Sequence, residues 1–65
     1  MKVALNGKPH ETGDGASIRD LLVELELPAE HVAVELNGEL VERDDFERRL
    51  AEGDRLEVVR FVGGG

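Results

Sequence analysis

The residues with the clearest chemical potential are the three glycines Gly63, Gly64 and Gly65, which follow an apolar, strand-like run. Glycine has no Cβ and reaches backbone conformations closed to other residues, so such a tail can enter a channel too narrow for bulkier side chains. We hypothesise that the backbone carboxylate of Gly65 is the working group of the protein. The alternative is that the glycines form only a frayed terminus or a linker.

A carboxylate in this position could carry sulfur once a partner has activated it. An ionised carboxylate is a poor acyl donor, so activation is needed first, for instance by adenylation. A sulfur nucleophile can then attack the acyl-adenylate and leave a thiocarboxylate. The chain contains no cysteine that could capture its own activated end. An extended segment from Val62 to Gly65 would carry Gly65 about 13 Å beyond the fold, far enough to reach a buried active site.

Side chains give little support for catalysis or metal binding. His10 and His31 are far apart in the sequence, with no third ligand at a zinc-type spacing, so we predict no metal site. Asp44 and Asp45 could share a proton as an acid/base dyad, although a helix cap with a solvated neighbour explains them more simply. We find no phosphate-binding loop and no convincing Ser-His-Asp order. We therefore expect no free-standing enzyme and no bound cofactor.

Charge and composition restrict the class of partner. The 65 residues include 15 acidic and 8 basic side chains, which give a formal net charge of −7. This charge disfavours nucleic acid, whose phosphates would be repelled, and favours protein partners with basic surfaces. No apolar run approaches the roughly 18 residues of a membrane span, and we find no signal-peptide pattern. We expect one small cytoplasmic domain that binds neither nucleic acid nor membrane.

The elements that must position the tail begin with a hairpin and a helix. Residues 1–6 alternate as a strand, Asn6-Gly7 is a strong hairpin-turn signal, and a poorer strand follows at 9–12. Residues 17–27 predict a helix with one apolar stripe at i, i+3, i+4 and i+7 spacing. Ser17 is a good N-cap, Asp20 occupies the capping-box position, and Pro28 ends the helix.

Three more strands complete the predicted order. Residues 32–36 alternate as a strand, and a second Asn-Gly turn leads into a short strand at 39–41. A helical turn follows at 44–47, with Asp44 as its N-cap, and residues 55–62 form the last strand. One helix across a mixed four- to five-stranded sheet makes an α+β domain. If the first and last strands are adjacent and parallel, the fold is a ubiquitin-like β-grasp over residues 1–62, with a flexible tail at 63–65.

The strand phases predict both a core and an exposed patch. Val58 takes the inward phase, which turns Val59 and Phe61 outward beside Ala33 of a neighbouring strand. Exposed apolar patches mark interaction sites, so we predict that these residues and Val62 bind a partner. The alternative is a bulge after Val58 that buries Phe61. The predicted core consists of Val3, Leu5, Ile18, Leu21, Leu22, Leu25, Val32, Val34, Leu36, Val41, Phe46, Leu50, Leu56 and Val58.

Over essentially its whole length the chain resembles the ThiS family, the ubiquitin-like sulfur carriers of thiamine biosynthesis. The matching segments are residues 5–7, 17–22, 32–37, 41–43 and 53–65. A di-glycine end is shared by all ubiquitin-like carriers, whereas the short length and the ending Phe-Val-Gly-Gly-Gly are more specific to this family. Glu42 is a departure, because many relatives have proline there, and we expect only a local effect on the backbone.

The resemblance implies a mechanism and several partners. Gly65 would be adenylated by a ThiF-type enzyme that uses ATP and magnesium, and converted to a thiocarboxylate with sulfur from a cysteine desulfurase. It would then donate the sulfur to thiazole synthase, ThiG, which builds the thiazole phosphate of thiamine. Three alternatives stay open: the small subunit of molybdopterin synthase, a carrier for tRNA thiolation or protein modification, and an interaction module with an inert tail.

Overall fold

The computed structural model describes residues 1–61, so the predicted tail at 63–65 and the boundary at 62 lie outside the described residues. The five strands are β1 (Lys2–Leu5), β2 (Lys8–Glu11), β3 (Val32–Leu36), β4 (Glu39–Val41) and β5 (Arg55–Arg60). The helix α1 (Ile18–Glu24) lies between β2 and β3 in the chain, and short 3₁₀ turns lie at Ala29–His31 and Arg43–Asp45.

The strands form one mixed sheet in the order β2-β1-β5-β3-β4. β1 and β5 are parallel neighbours in its centre, and the other neighbouring strands are antiparallel. Both hairpins turn on Asn-Gly pairs with positive φ at the two central residues, 51° and 83° at Asn6-Gly7 and 53° and 89° at Asn37-Gly38. This geometry suits the right-handed twist of the flanking strands. The predicted β-grasp arrangement, with its parallel central pair, is confirmed.

The helix begins as predicted but ends earlier. Ser17 is the N-cap and forms a capping box with Asp20, and each residue accepts a 3.0 Å hydrogen bond from the other's backbone N–H. The prediction that the helix continues to Leu27 is wrong. Glu26 takes a left-handed φ of 59°, its N–H donates to the carbonyl of Val23, and the N–H of Leu27 donates to that of Leu22. These two bonds form a Schellman motif, which closes the helix before Pro28 is reached.

The predicted helical turn at 44–47 is displaced toward the N-terminus. The 3₁₀ turn occupies Arg43–Asp45, with Glu42 at the N-cap position and no side-chain cap, so the prediction that Asp44 caps this turn is wrong. Asp45 instead accepts a 2.6 Å hydrogen bond from Arg48. Glu42 has φ −70° and ψ 150°. Proline adopts the same conformation, so the backbone can follow this path with either residue.

The core lies between α1 and one face of the sheet. All of the predicted core residues contribute to it, although Leu5 and Leu25 are only partly buried. The segment around Phe46 closes the core at the beginning of the helix, where the first N–H groups lack helical partners. The carbonyl groups of Phe46 and Arg48 accept hydrogen bonds from Arg19 and Ile18, at 2.8 and 3.0 Å.

Candidate functional site

The strand that leads to the glycine tail is the central strand β5, and its ladder with β3 is continuous. At one end the N–H of Asn37 donates to the carbonyl of Arg55 at 2.7 Å, and at the other the N–H of Phe61 donates to that of His31 at 3.0 Å. The residue pairs between these ends keep one register. The ladder therefore contains no bulge after Val58, and the alternative that a bulge buries Phe61 is wrong.

Asn6 holds the other edge of β5 beyond the point where β1 ends. The parallel pairing of β1 with β5 covers only Ala4 with Arg55 and Leu5 with Leu56. The side chain of Asn6 then donates from Nδ2 to the carbonyl of Val58 at 3.2 Å and accepts at Oδ1 from its N–H at 2.8 Å. The amide thus bonds the main-chain groups of Val58 that β1 is too short to reach, immediately before the exposed end of β5.

Asn37 makes the corresponding attachment at the beginning of β5. Its Oδ1 accepts a 2.9 Å hydrogen bond from the N–H of Arg55, and its Nδ2 donates to Asp54 at 3.1 Å. Both asparagines were identified from the sequence only as turn residues. Their second role as anchors of β5 could not be seen without the strand order, because it depends on which strand lies beside each turn.

The structure brings together the described members of the predicted apolar patch. Ala33 and Val59 are directly opposite each other on the sheet face that points away from α1. Val59 is 60% exposed and Phe61, at the next position of the same phase, is 46% exposed. The predicted exposure of these two side chains is confirmed, whereas Val62 lies outside the described residues. Their role in partner binding stays a prediction.

One apolar residue of this face was missed in the sequence. Leu40, on β4, is 64% exposed and lies opposite Glu35 of β3. The inward phase of Val41 was the available signal, because neighbouring residues of a strand point to opposite faces.

The described part of the chain has no cluster of three or more side chains suited to a metal ion. His10 and His31 stay apart, because two strands separate β2 from β3 in the sheet. Nε2 of His10 lies 3.3 Å from Oε2 of Glu24, and Thr12 donates a 3.1 Å hydrogen bond to the other oxygen of this carboxylate. Glu24 therefore ties the edge strand to α1. None of the helices formed by residues 1–61 is long and apolar enough to cross a membrane.

The profile of the ThiS family matches residues 3–65, which include the three glycines. The chain belongs to the ThiS family. Among its relatives in this family, the sulfur carrier protein ThiS of Bacillus subtilis is 40% identical over 63 residues, which cover 94% of this chain and 96% of that protein. The crystal structure of the thiamine biosynthesis protein (ThiS) from Geobacter metallireducens superposes with a TM-score of 0.84, at 39% identity and full coverage of both chains.

A further relative is much longer than this ThiS-family chain. A thiazole synthase from Magnetococcus marinus is 44% identical over 66 residues, which cover all of this chain but 20% of that protein. The chain thus spans about a fifth of the length of that relative.

Proposed function

We propose that this chain is a sulfur carrier for the formation of the thiamine thiazole, and that the carboxylate of Gly65 carries the sulfur. The observation that carries the proposal is the ThiS-family match, which extends through the glycines to residue 65. The chain is a substrate of other enzymes and not itself a catalyst. The absence of cysteine suits this role, since no internal thiol competes for the activated carboxyl group.

The proposed chemistry takes place at one acyl carbon. On a ThiF-type adenylyltransferase with magnesium, the Gly65 carboxylate attacks the α-phosphorus of ATP, which forms the acyl-adenylate and releases pyrophosphate. A cysteine desulfurase supplies the sulfur as a persulfide, whose terminal sulfur attacks the acyl carbon, displaces AMP and forms an acyl disulfide. A thiol reductant then cleaves the S–S bond, which releases the thiocarboxylate on Gly65 and leaves the persulfide carrier and the reductant as a mixed disulfide. Because activation consumes ATP, we propose the cytoplasm as the site of the reaction. Gly63 and Gly64 add no side chains to the path of Gly65 into a partner's active site.

The folded part provides an ordered surface that a partner can bind next to the glycines. β5 is fixed on one side by its ladder with β3 and on the other by Asn6, so the strand that precedes the glycines is held in the sheet through Arg60. We propose that Val59, Phe61, Val62 and Ala33 contact the partner while the glycines enter its active site. Two exposed apolar side chains of this group support the proposal, because such patches are typical of interaction surfaces.

Thiazole synthase, ThiG, is the proposed acceptor of the sulfur. The support is a relative named thiazole synthase, one fifth of which matches this chain. A reconstituted mixture should form the thiazole phosphate when it contains the chain, ATP, magnesium, a ThiF-type enzyme, a cysteine desulfurase with cysteine, a thiol reductant, and thiazole synthase with the substrates that supply the carbon, nitrogen and phosphate of the product. The same mixture with Gly65 deleted from the chain should not.

The alternatives predict other products of the same experiment. Thiazole synthase and its substrates are then replaced by the large subunit of molybdopterin synthase with its pterin precursor, by tRNA with a thiolation enzyme, or by a protein that offers acceptor lysines. No molybdopterin, thiolated tRNA or lysine-linked adduct should form. Molybdopterin, thiolated tRNA or a lysine-linked adduct in the absence of thiazole would reject the thiamine role. Failure of all four products would leave the chain as an interaction module.

A further inference from the structure

Two glutamates of the same charge are paired across the centre of the sheet. Glu35 of β3 lies directly opposite Glu57 of β5, and both side chains are exposed on the face away from α1. Directly opposite residues of antiparallel strands have Cβ atoms about 5 Å apart, and like charges in this arrangement destabilise a sheet. The register therefore places two carboxylates side by side at a position where like charges are generally unfavourable.

The two carboxylates form no direct ion pair within residues 1–61. All eight basic side chains of the protein lie within these residues, and none forms an ion pair with Glu35 or Glu57. Arg55 precedes Glu57 by two positions on the same strand but is likewise absent from the ion pairs of the described chain. The two carboxylates are thus free to accept hydrogen bonds from a cationic group outside the protein.

Apolar side chains flank this acidic pair. Leu40 of β4 is opposite Glu35, on the far side from Glu57. Val59 and Ala33 form the adjacent cross-strand pair toward the tail. We call these five residues, Ala33, Glu35, Leu40, Glu57 and Val59, the open sheet face. Protein interfaces are enriched in arginine and in apolar contacts at their centres, and a guanidinium group can bond two carboxylate oxygens at once.

We propose that the open sheet face docks on thiazole synthase, and that Glu35 and Glu57 together bind one arginine or lysine side chain of that enzyme. Leu40 and Val59 pack on apolar groups on either side of this basic residue. The inference rests on the proposed function and adds the chemistry by which the partner is recognised. A second copy of the chain is a poor occupant, since it has the same net charge of −7 and would present the same acidic pair.

Removal of one charge from the acidic pair should have opposite effects on stability and on binding. Glu57→Gln removes one charge with little change in shape. The thermal midpoint of the isolated variant should rise by about 2 °C because the repulsion is relieved. Its dissociation constant for thiazole synthase should increase about tenfold, because the partner's cation loses one of its two carboxylates. A purely structural role for the pair would change the stability and leave the binding unaltered.

The control is Asp44→Asn, which removes the same unit of charge from the turn between β4 and β5. Its affinity for thiazole synthase should stay within about twofold of the unmodified chain, because long-range attraction between exposed charges is screened. The unmodified affinity should also fall more steeply with salt than that of Glu57→Gln. Equal losses of affinity in the two variants would assign the effect to net charge and overturn the proposal.

The remaining outcomes separate this inference from the proposed function. If the unmodified chain does not bind thiazole synthase and yields no thiazole, the proposed function fails. If the unmodified chain binds and Glu57→Gln binds equally well, only the docking proposal fails. Self-association of the unmodified chain in analytical ultracentrifugation, lost in Glu57→Gln, would identify a second copy as the occupant and would also overturn it.

Discussion

The side-chain amide of Asn6 bonds both main-chain polar groups of Val58, donating to its carbonyl and accepting from its N–H. The same residue closes the first hairpin with a left-handed φ of 51°. One asparagine therefore ends β1 and, at the same time, extends its contact with β5 by one position. Beyond Val58 the ladder with β3 continues as far as the hydrogen bond from the N–H of Phe61 to the carbonyl of His31.

Two substitutions of Asn6 separate its hydrogen bonds from its backbone conformation. Asn6→Gly keeps the positive φ but removes both bonds, and should lower the free energy of unfolding by about 1–2 kcal/mol. Asn6→Ala should cost about 1 kcal/mol more, because alanine is strained in the left-handed region. Urea denaturation measures both changes, and equal stability of Asn6→Ala and the unmodified chain would refute the role of the Asn6–Val58 hydrogen bonds.

Amide hydrogen exchange shows which part of the structure the Asn6 side chain stabilises. The amide of Val58 should exchange faster in Asn6→Gly, because its acceptor is lost. The matched control is Asn37→Gly, which removes the acceptor of the Arg55 amide in the other Asn-Gly turn. In this control the Arg55 amide should respond more strongly than that of Val58. The same change at both amides in both variants would indicate global loosening instead of local attachment.

The capping box should make stability dependent on pH in the acid range. The pKa of Asp20 is lowered, chiefly by the hydrogen bond from the backbone N–H of Ser17 and further by the Ser17 hydroxyl. A carboxylate with a lowered folded-state pKa contributes stability above its unfolded pKa of about 4, and this contribution is lost as pH falls through the folded value. Asp20→Asn should therefore lose less stability than the unmodified chain between about pH 5 and about pH 2.

Ser17 provides a second test of the same motif. Ser17→Ala should lower the free energy of unfolding by about 1 kcal/mol at neutral pH, because the N–H of Asp20 loses its acceptor. It should also bring the pKa of Asp20, measured by NMR titration, closer to its ordinary value. An unchanged pKa in Ser17→Ala and an unchanged acid profile in Asp20→Asn would show that the capping box does not operate in solution.

The Schellman motif predicts a stabilising substitution. Glu26 has a left-handed φ of 59°, which is unfavourable for a residue with a Cβ, and its charge lies at the negative end of the helix dipole. Glu26→Gly should increase the free energy of unfolding by about 0.5–1 kcal/mol. Val23→Gly, at an exposed position in the last turn of α1, is the control and should reduce it. A loss of stability in Glu26→Gly would show that the helix continues past Leu25 in solution.

Two exposed valines test the apolar patch. Val59 is 60% exposed on the sheet and Val23 is 71% exposed on α1, so replacing either with serine should change the free energy of unfolding by less than about 0.5 kcal/mol. Val59→Ser should nevertheless weaken binding to the ThiF-type enzyme or to thiazole synthase about tenfold, whereas Val23→Ser should not. Equal affinities of the two variants for both enzymes would exclude the patch from the interface.

Features encoded by neighbouring residues could be predicted from the sequence, and features that depend on distant contacts could not. Ser17 correctly predicted where the helix starts. The alternation through Val58 and Val59 correctly predicted which side chains of the last strand point outward. The helix end was placed too late because Glu26 takes the conformation usual for glycine. The cap was wrongly assigned to Asp44 because its 3₁₀ turn begins earlier and packs against the start of α1.

The candidate site shows the same division. The glycines and their carboxylate were evident from the sequence, and the outward side chains followed from strand phase. The attachment by Asn6 and the opposition of Glu35 and Glu57 depend on strand order and register, which link residues distant in the sequence.

The central claim is that the carboxylate of Gly65 becomes a thiocarboxylate, and intact-mass spectrometry tests it most directly. The chain is incubated with ATP, magnesium, a ThiF-type enzyme, a cysteine desulfurase with cysteine, and a thiol reductant, and is then fragmented. The proposal predicts a mass increase equal to the replacement of one oxygen by one sulfur, confined to Gly65 and absent when ATP is omitted. A chain of unchanged mass, or sulfur located at any other residue, would contradict it.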